Sequence, residues 1–129
     1  MNVLLDTDTC VYALRGHPVV RSRLTAIDPA TVAISVVTLA ELRYGAACST
    51  RPDANHQAVD DFVQAISLIG VDPAIARAFG EIKLELRRQG SLIEDFDLLI
   101  AATARTYRLT LVTNNQGHFG RIPDLTLDN

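Results

Sequence analysis

The chain has 129 residues, 48% hydrophobic and 21% charged, which suits one domain (residues 1–129) with a real core and excludes a disordered polymer. No apolar run approaches the ~20 residues that span a bilayer, and no basic, cleavable apolar leader opens the chain, so neither an anchor nor a signal peptide is expected. A formal net charge of −3 argues against a broadly basic nucleic-acid surface, and two cysteines, Cys10 and Cys48, fit a reduced cytoplasmic protein better than a disulfide scaffold.

Val3-Leu4-Leu5 is a short apolar run broken by Asp6, the pattern of a buried strand. Thr7 to Arg15 reads as a helix with Cys10, Val11 and Leu14 on one face and Gly16 as its stop. His17-Pro18 opens a second helical stretch that ends near Asp28-Pro29. Residues 31–35 are β-branched and apolar, a second buried strand. A helix is expected over Thr38 to Ala47 and another over about Asp53 to Ser67, where Val59, Phe62, Val63 and Ile66 recur at helical spacing.

Residues 68–71 form a third short strand, and Asp72-Pro73 then opens a helix with a capping acid and a first-turn proline. Ile75, Phe79, Ile82 and Leu86 mark its inner face, and Gly90 ends it. Glu94 to Tyr107 is helical and alanine-rich, residues 109–113 make a fourth strand, and residues 125–127 are the candidate for a fifth at the edge. Strands alternating with helices predict an α/β fold, a mostly parallel sheet of four or five strands covered on both faces.

In such sheets, sites lie outside the carboxyl ends of the strands. Strand one ends in Asp6-Thr7-Asp8, strand two leads to Glu41, strand four ends in Thr113-Asn114-Asn115, and the helix before it starts with Glu94-Asp95-Phe96-Asp97. Each acid also has a plainer role. Asp6 suits a helix cap, Thr38-x-x-Glu41 a capping box, Asp97 a first-turn complement to the helix dipole, and Asn115 a turn. Independent caps have no reason to gather at one sheet edge. Together they form a cluster that repels itself unless cations occupy it.

Leu4-Leu5-Asp6-Thr7-Asp8, Thr38 to Gly45, Asp97 to Ala102, and Leu111 to Asn115 with Phe119 resemble the PIN-domain family, and more narrowly VapC-type toxins of toxin–antitoxin pairs. The resemblance runs from about residue 2 to residue 127. It implies a three-layer α/β/α sandwich and an Mg²⁺- or Mn²⁺-dependent endoribonuclease. The family's acids fall on Asp6, Glu41 and Asp97, both catalytic and metal-holding. Its fourth position, often Asp, falls on Asn115, with Thr113 just before it and Thr7 after the first acid. Asp8 departs from the commoner Asn. Asn115 adds no charge, so of two cations one is expected to bind more weakly, with Asp95, and after it Asp8, as candidates to restore the charge.

Arginines at the mouth, Arg43 and Arg15, are expected to contact RNA phosphates. Of the 12 basic residues only Lys83, read here as part of a solvated face, is a lysine; arginine suits phosphate forks, but a G- and C-rich genome gives the same bias. The resemblance further implies a homodimer and a small VapB-type antitoxin that holds the toxin inactive. Two other readings stand beside it. One is a catalytically inert PIN-like binding module. The other is a haloacid-dehalogenase-like phosphohydrolase, suggested by Asp6-x-Asp8 but lacking a well-placed lysine.

Overall fold

The computed structural model describes residues 2–129. Five strands, β1 (Val3–Leu5), β2 (Val32–Ser35), β3 (Ser67–Ile69), β4 (Thr110–Val112) and β5 (Leu127–Asp128), form one sheet in the order β3-β2-β1-β4-β5. Every pairing is parallel, with Val3 beside Val32 and Thr110, Ala33 beside Ser67, and Leu111 beside Leu127. The expected edge strand is present and shifted two residues along, so the sheet has five members.

Seven α-helices are described. They are α1 (Thr7–Leu14), α2 (Pro18–Thr25), α3 (Val36–Ala47), α4 (Pro52–Gln64), α5 (Pro73–Arg88), α6 (Asp95–Tyr107) and the single turn α7 (Gln116–Phe119). Most lie where the apolar periodicity places them. α2 is shorter than expected, and the chain then makes a 3-10 turn over Pro29–Thr31, where the Asp28 carboxylate accepts the Ala30 N–H at 3.0 Å. α7 was not anticipated, since four residues are too few for a periodic signal; it carries Phe119, 1% exposed, into the core.

Side chains alternate across the sheet, and this creates two cores. Leu4, Ala33 and Leu111 face the α5–α6 side with Ile75, Ile82, Leu86, Leu98 and Ile100. Leu5, Val32 and Ile34 face the opposite side with Cys10, Leu42 and Val59 of α1, α3 and α4. The result is the expected α/β/α sandwich. Among the described residues no helix is long and apolar enough to cross a membrane.

Strand order sets the place of the site. From β1 the chain steps outward to β2 and β3, then returns to the other side of β1 to lay down β4 and β5. The reversal falls between β1 and β4, and a parallel sheet opens a crevice beyond its carboxyl edge at such a point.

Candidate active site

Asp6 stands at that reversal. Its backbone N–H donates to the Val112 carbonyl at 3.1 Å, extending the β1–β4 ladder by one step. Its side chain is 3% exposed, and Oδ1 accepts the Thr9 N–H at 2.9 Å, capping α1. The cap uses one oxygen; Oδ2 makes no hydrogen bond among the described residues.

Glu41 arrives from the second turn of α3. The capping-box reading of Thr38 and Glu41 is corrected here: α3 starts two residues earlier, at Val36, and the Ser35 hydroxyl caps it by accepting the Val37 N–H at 3.0 Å. Thr38 is fully buried instead, 3.2 Å from the Thr7 hydroxyl, and Thr7 donates to Glu41 Oε1 at 2.6 Å. Thr7 thus fixes the Glu41 carboxylate to the start of α1.

The third segment is the start of α6. The helix begins at Asp95, with Glu94 at its N-cap. Asp95 turns away from the crevice and pairs with Lys83 Nζ of α5 at 2.8 Å, so its proposed role as replacement charge is not supported. Residues two apart on a helix do not share a face, and Asp95 lies inside the helix, not before it. The reading of Lys83 as merely solvated is corrected by the same contact: its ammonium bridges α5 to α6 and sits 5.7 Å from the centre of the Phe79 ring. Glu94, three residues before Asp97, enters the crevice in place of Asp95. The i, i+3 relation to Asp97 was visible in the sequence, but the register of the helix start was not.

Asp6, Thr7, Asp8, Glu41, Glu94, Asp97, Asn115 and Phe119 line one cavity of about 160 Å³. Five of these eight are carboxylates, and no lysine or arginine is among them. Burial pushes the Asp97 carboxyl up to about 6, and the charges of Glu41, Glu94, Asp6 and Asp8 add to the shift in that order. Asn115 lies on the β4 side, its backbone N–H donating to Thr113 Oγ1 at 2.9 Å and its amide nitrogen 2.9 Å from His118 Nδ1. Thr113 is fully buried and shapes this turn without lining the cavity.

The two arginines separate. Arg43 is held away from the cavity: its guanidinium pairs with Asp60 and donates to the His56 carbonyl at 3.1 Å, tying α3 to α4. A role for it at the mouth is therefore not supported. Arg15, the C-cap of α1, is exposed and lines a shallow groove of about 260 Å³ that runs from Glu41 between α1, α3 and α4.

The donor set is all oxygen, mostly carboxylate, which fits a hard divalent cation such as Mg²⁺ or Mn²⁺. Among the described residues no three acids, cysteines or histidines close around a single point as they stand. Mg²⁺ keeps several waters and needs only one or two direct carboxylates. The fit is therefore to a hydrated cation.

Fold and site together define a class: a parallel α/β sandwich with an acid-lined crevice at its switch point. The PIN domain family matches residues 3–125, and the chain belongs to that family. The match sets aside the phosphohydrolase reading. The chain is 38% identical to ribonuclease VapC2 of Rickettsia felis, spanning 100% of this chain and 98% of that protein. It is also 38% identical to the tRNA(fMet)-specific endonuclease VapC of Shigella flexneri, over 97% of this chain and 95% of that one. Among solved structures it matches VapBC2 from Rickettsia felis bound to a DNA fragment from their promoter, with a TM-score of 0.94 and 38% identity over 100% of this chain and 98% of that one. Within the family the chain groups with VapC-type ribonucleases.

Proposed function

We propose that this chain is a divalent-cation-dependent endoribonuclease, the toxin of a toxin–antitoxin pair, and that Asp6, Glu41 and Asp97 are its cation-holding catalytic residues. The observation that carries the reading is the acid-lined crevice at the β1–β4 reversal, in a chain similar over its whole length to ribonucleases. Bound there, Mg²⁺ or Mn²⁺ would supply an acidified water and charge stabilisation at the scissile phosphate.

The protein's own groups divide the remaining work. Asp6, anchored by its cap at Oδ1, offers Oδ2 from the most central strand. Thr7 restricts Glu41 to one orientation through the 2.6 Å hydrogen bond to Oε1. Asp97, whose carboxyl is pushed up by burial and by the charges of Glu41, Glu94, Asp6 and Asp8, gains most from a cation in the crevice and completes its oxygen shell or positions the attacking water. Asn115 contributes a neutral amide oxygen. The groove that Arg15 lines together with Glu41 supports a path for an RNA strand leading away from the cavity, with Arg15 as its phosphate contact.

A net charge of −3 leaves an acidic chain to bind a polyanion, and cations in the crevice would reverse that local sign. We infer a VapB-type antitoxin as partner, in a hetero-oligomer built on a toxin homodimer, working in the cytoplasm. An arginine of that partner would satisfy two crevice carboxylate oxygens at once, which accounts for inhibition without any change of fold.

The deciding experiment is cleavage of total RNA by the purified chain with Mn²⁺ or Mg²⁺, with excess EDTA, and after Asp6→Asn. Asparagine keeps the Oδ1 acceptor for Thr9 and removes the charge, so the variant should fold as the parent does. Cleavage should vanish in EDTA and in Asp6→Asn. Undiminished cleavage in EDTA refutes the cation role, and undiminished cleavage by Asp6→Asn refutes the assignment of Asp6. A chain that neither cleaves RNA nor binds Mn²⁺ would be the inert binding module.

A further inference from the structure

Glu94 occupies the N-cap of α6 with extended backbone, φ −64° and ψ 147°, yet makes no side-chain hydrogen bond to its own helix. The other acids at N-caps behave differently: Asp6, Asp28 and Asp72 each accept an amide N–H of the helix they begin. Reach explains the contrast. Capping suits the short aspartate side chain, and the extra methylene of glutamate carries its carboxylate past the amides. The Glu94 carboxylate is thus left free, on the side of α6 that it shares with Asp97.

Two of the other candidates cannot take its place, while Asp8, in the first turn of α1, also lines the cavity. Asp95 is bound to Lys83, and Asn115 is uncharged with its amide nitrogen on His118. No lysine or arginine lines the cavity to neutralise Glu94 there.

We propose that Glu94 is a further cation-holding residue of the crevice, a free carboxylate set beside Asp97 where Asn115 brings no charge. The proposal rests on the reading of the crevice as a divalent-cation site. Glu94 is exposed, so it acts through a water of the hydrated cation, the mode that Mg²⁺ and Mn²⁺ favour when they keep most of their waters. Substituting an outer-shell partner of this kind typically weakens binding by about 10- to 100-fold.

The test is Mn²⁺ titration of the full chain without RNA, followed by calorimetry, for the parent, Glu94→Gln and Asp95→Asn. Both variants remove one negative charge at adjacent positions, so distant electrostatics would affect them alike. We expect Glu94→Gln to weaken Mn²⁺ binding by about 10-fold while Asp95→Asn stays close to the parent. Thermal melts in EDTA check the fold; the Glu94 side chain makes no hydrogen bond among the described residues and its charge repels Asp97, so Glu94→Gln should melt no lower than the parent. Unchanged binding in Glu94→Gln, or equal weakening in both variants, overturns the role of Glu94 and leaves the crevice a cation site. A parent that takes up no Mn²⁺ overturns the cation site itself.

Discussion

In the absence of divalent cations, Asp97 should cost the protein stability as pH rises from about 4 to 7. Burial, with Glu41, Glu94, Asp6 and Asp8 nearby, raises this carboxyl from its ordinary 3.8 to about 6 in the folded chain. Between those values the folded protein holds a proton that the unfolded chain has released. Raising the pH therefore favours unfolding: the stabilisation is complete below the unfolded value and gone once pH has passed through about 6. A difference of roughly two pH units sets a ceiling of about 3 kcal/mol. Asp97 is only half-buried, and solvent screening brings the expected contribution to the order of 1 kcal/mol. In a domain this size that is a shift of about 3–5 °C in melting temperature. Melting curves in EDTA at intervals between pH 4.5 and 7.5, for the parent and Asp97→Asn, isolate the effect, because every other titrating group is common to both. Asp97→Asn cannot ionise, so the parent should lose stability relative to it across this range, and Mn²⁺ at pH 7 should reverse the loss. A difference between the two proteins that does not vary with pH would refute the reasoning.

Further outcomes follow from single environments. Cys48 is exposed, whereas Cys10 is fully buried and its thiol is pushed well up by burial and then by the Asp6 charge, so a thiol reagent at pH 8 should titrate one cysteine in the folded protein and two in denaturant. Rapid reaction of both under native conditions would contradict this. Arg43→Met should cost up to about 1 kcal/mol in denaturant unfolding through the lost tie to Asp60, with RNA cleavage unchanged; the reverse result would return Arg43 to the substrate path. Leu98→Ala, at a site with no exposure on the inner face of α6, should cost about 2–5 kcal/mol and move the urea midpoint without altering the slope.

How much of this was legible in the sequence depends on how far each signal repeats. α5 shows its apolar stripe over about three turns, and its ends are marked by Asp72-Pro73 and by Gly90, whose φ of +68° is open to glycine at little cost; periodicity and caps together locate it within two residues. β1 and β4 are three residues each and were legible only because their apolar runs break off at Asp6 and Thr113. α3 began earlier than expected because a serine hydroxyl two residues ahead of the second amide caps it as well as Thr38 would have. Thr38 was free to be buried, 3.2 Å from the Thr7 hydroxyl that donates to Glu41. A capping motif names residues able to cap, and tertiary packing chooses among them.

The same division governs the site. Which segments carry acids follows from the order of strands and helices, and that order was legible. Which acid of a run faces the crevice depends on helix phase, and each residue turns the helix by roughly 100°. In Glu94-Asp95-Phe96-Asp97, a start one or two residues later would have freed Asp95 to face inward; starting at Asp95 instead delivers it to Lys83 and leaves Glu94 in the cavity. Lys83 is on another helix, so no local reading of residues 94–97 contains the contact that takes Asp95 away. Arg43 fails for the same reason, since Asp60 and His56 belong to α4. Counting charges near a motif therefore overstates the site by those that neighbouring helices claim. The crevice is made of the acids that Lys83 of α5 leaves unpaired, and Arg43 is kept from it by Asp60 of α4.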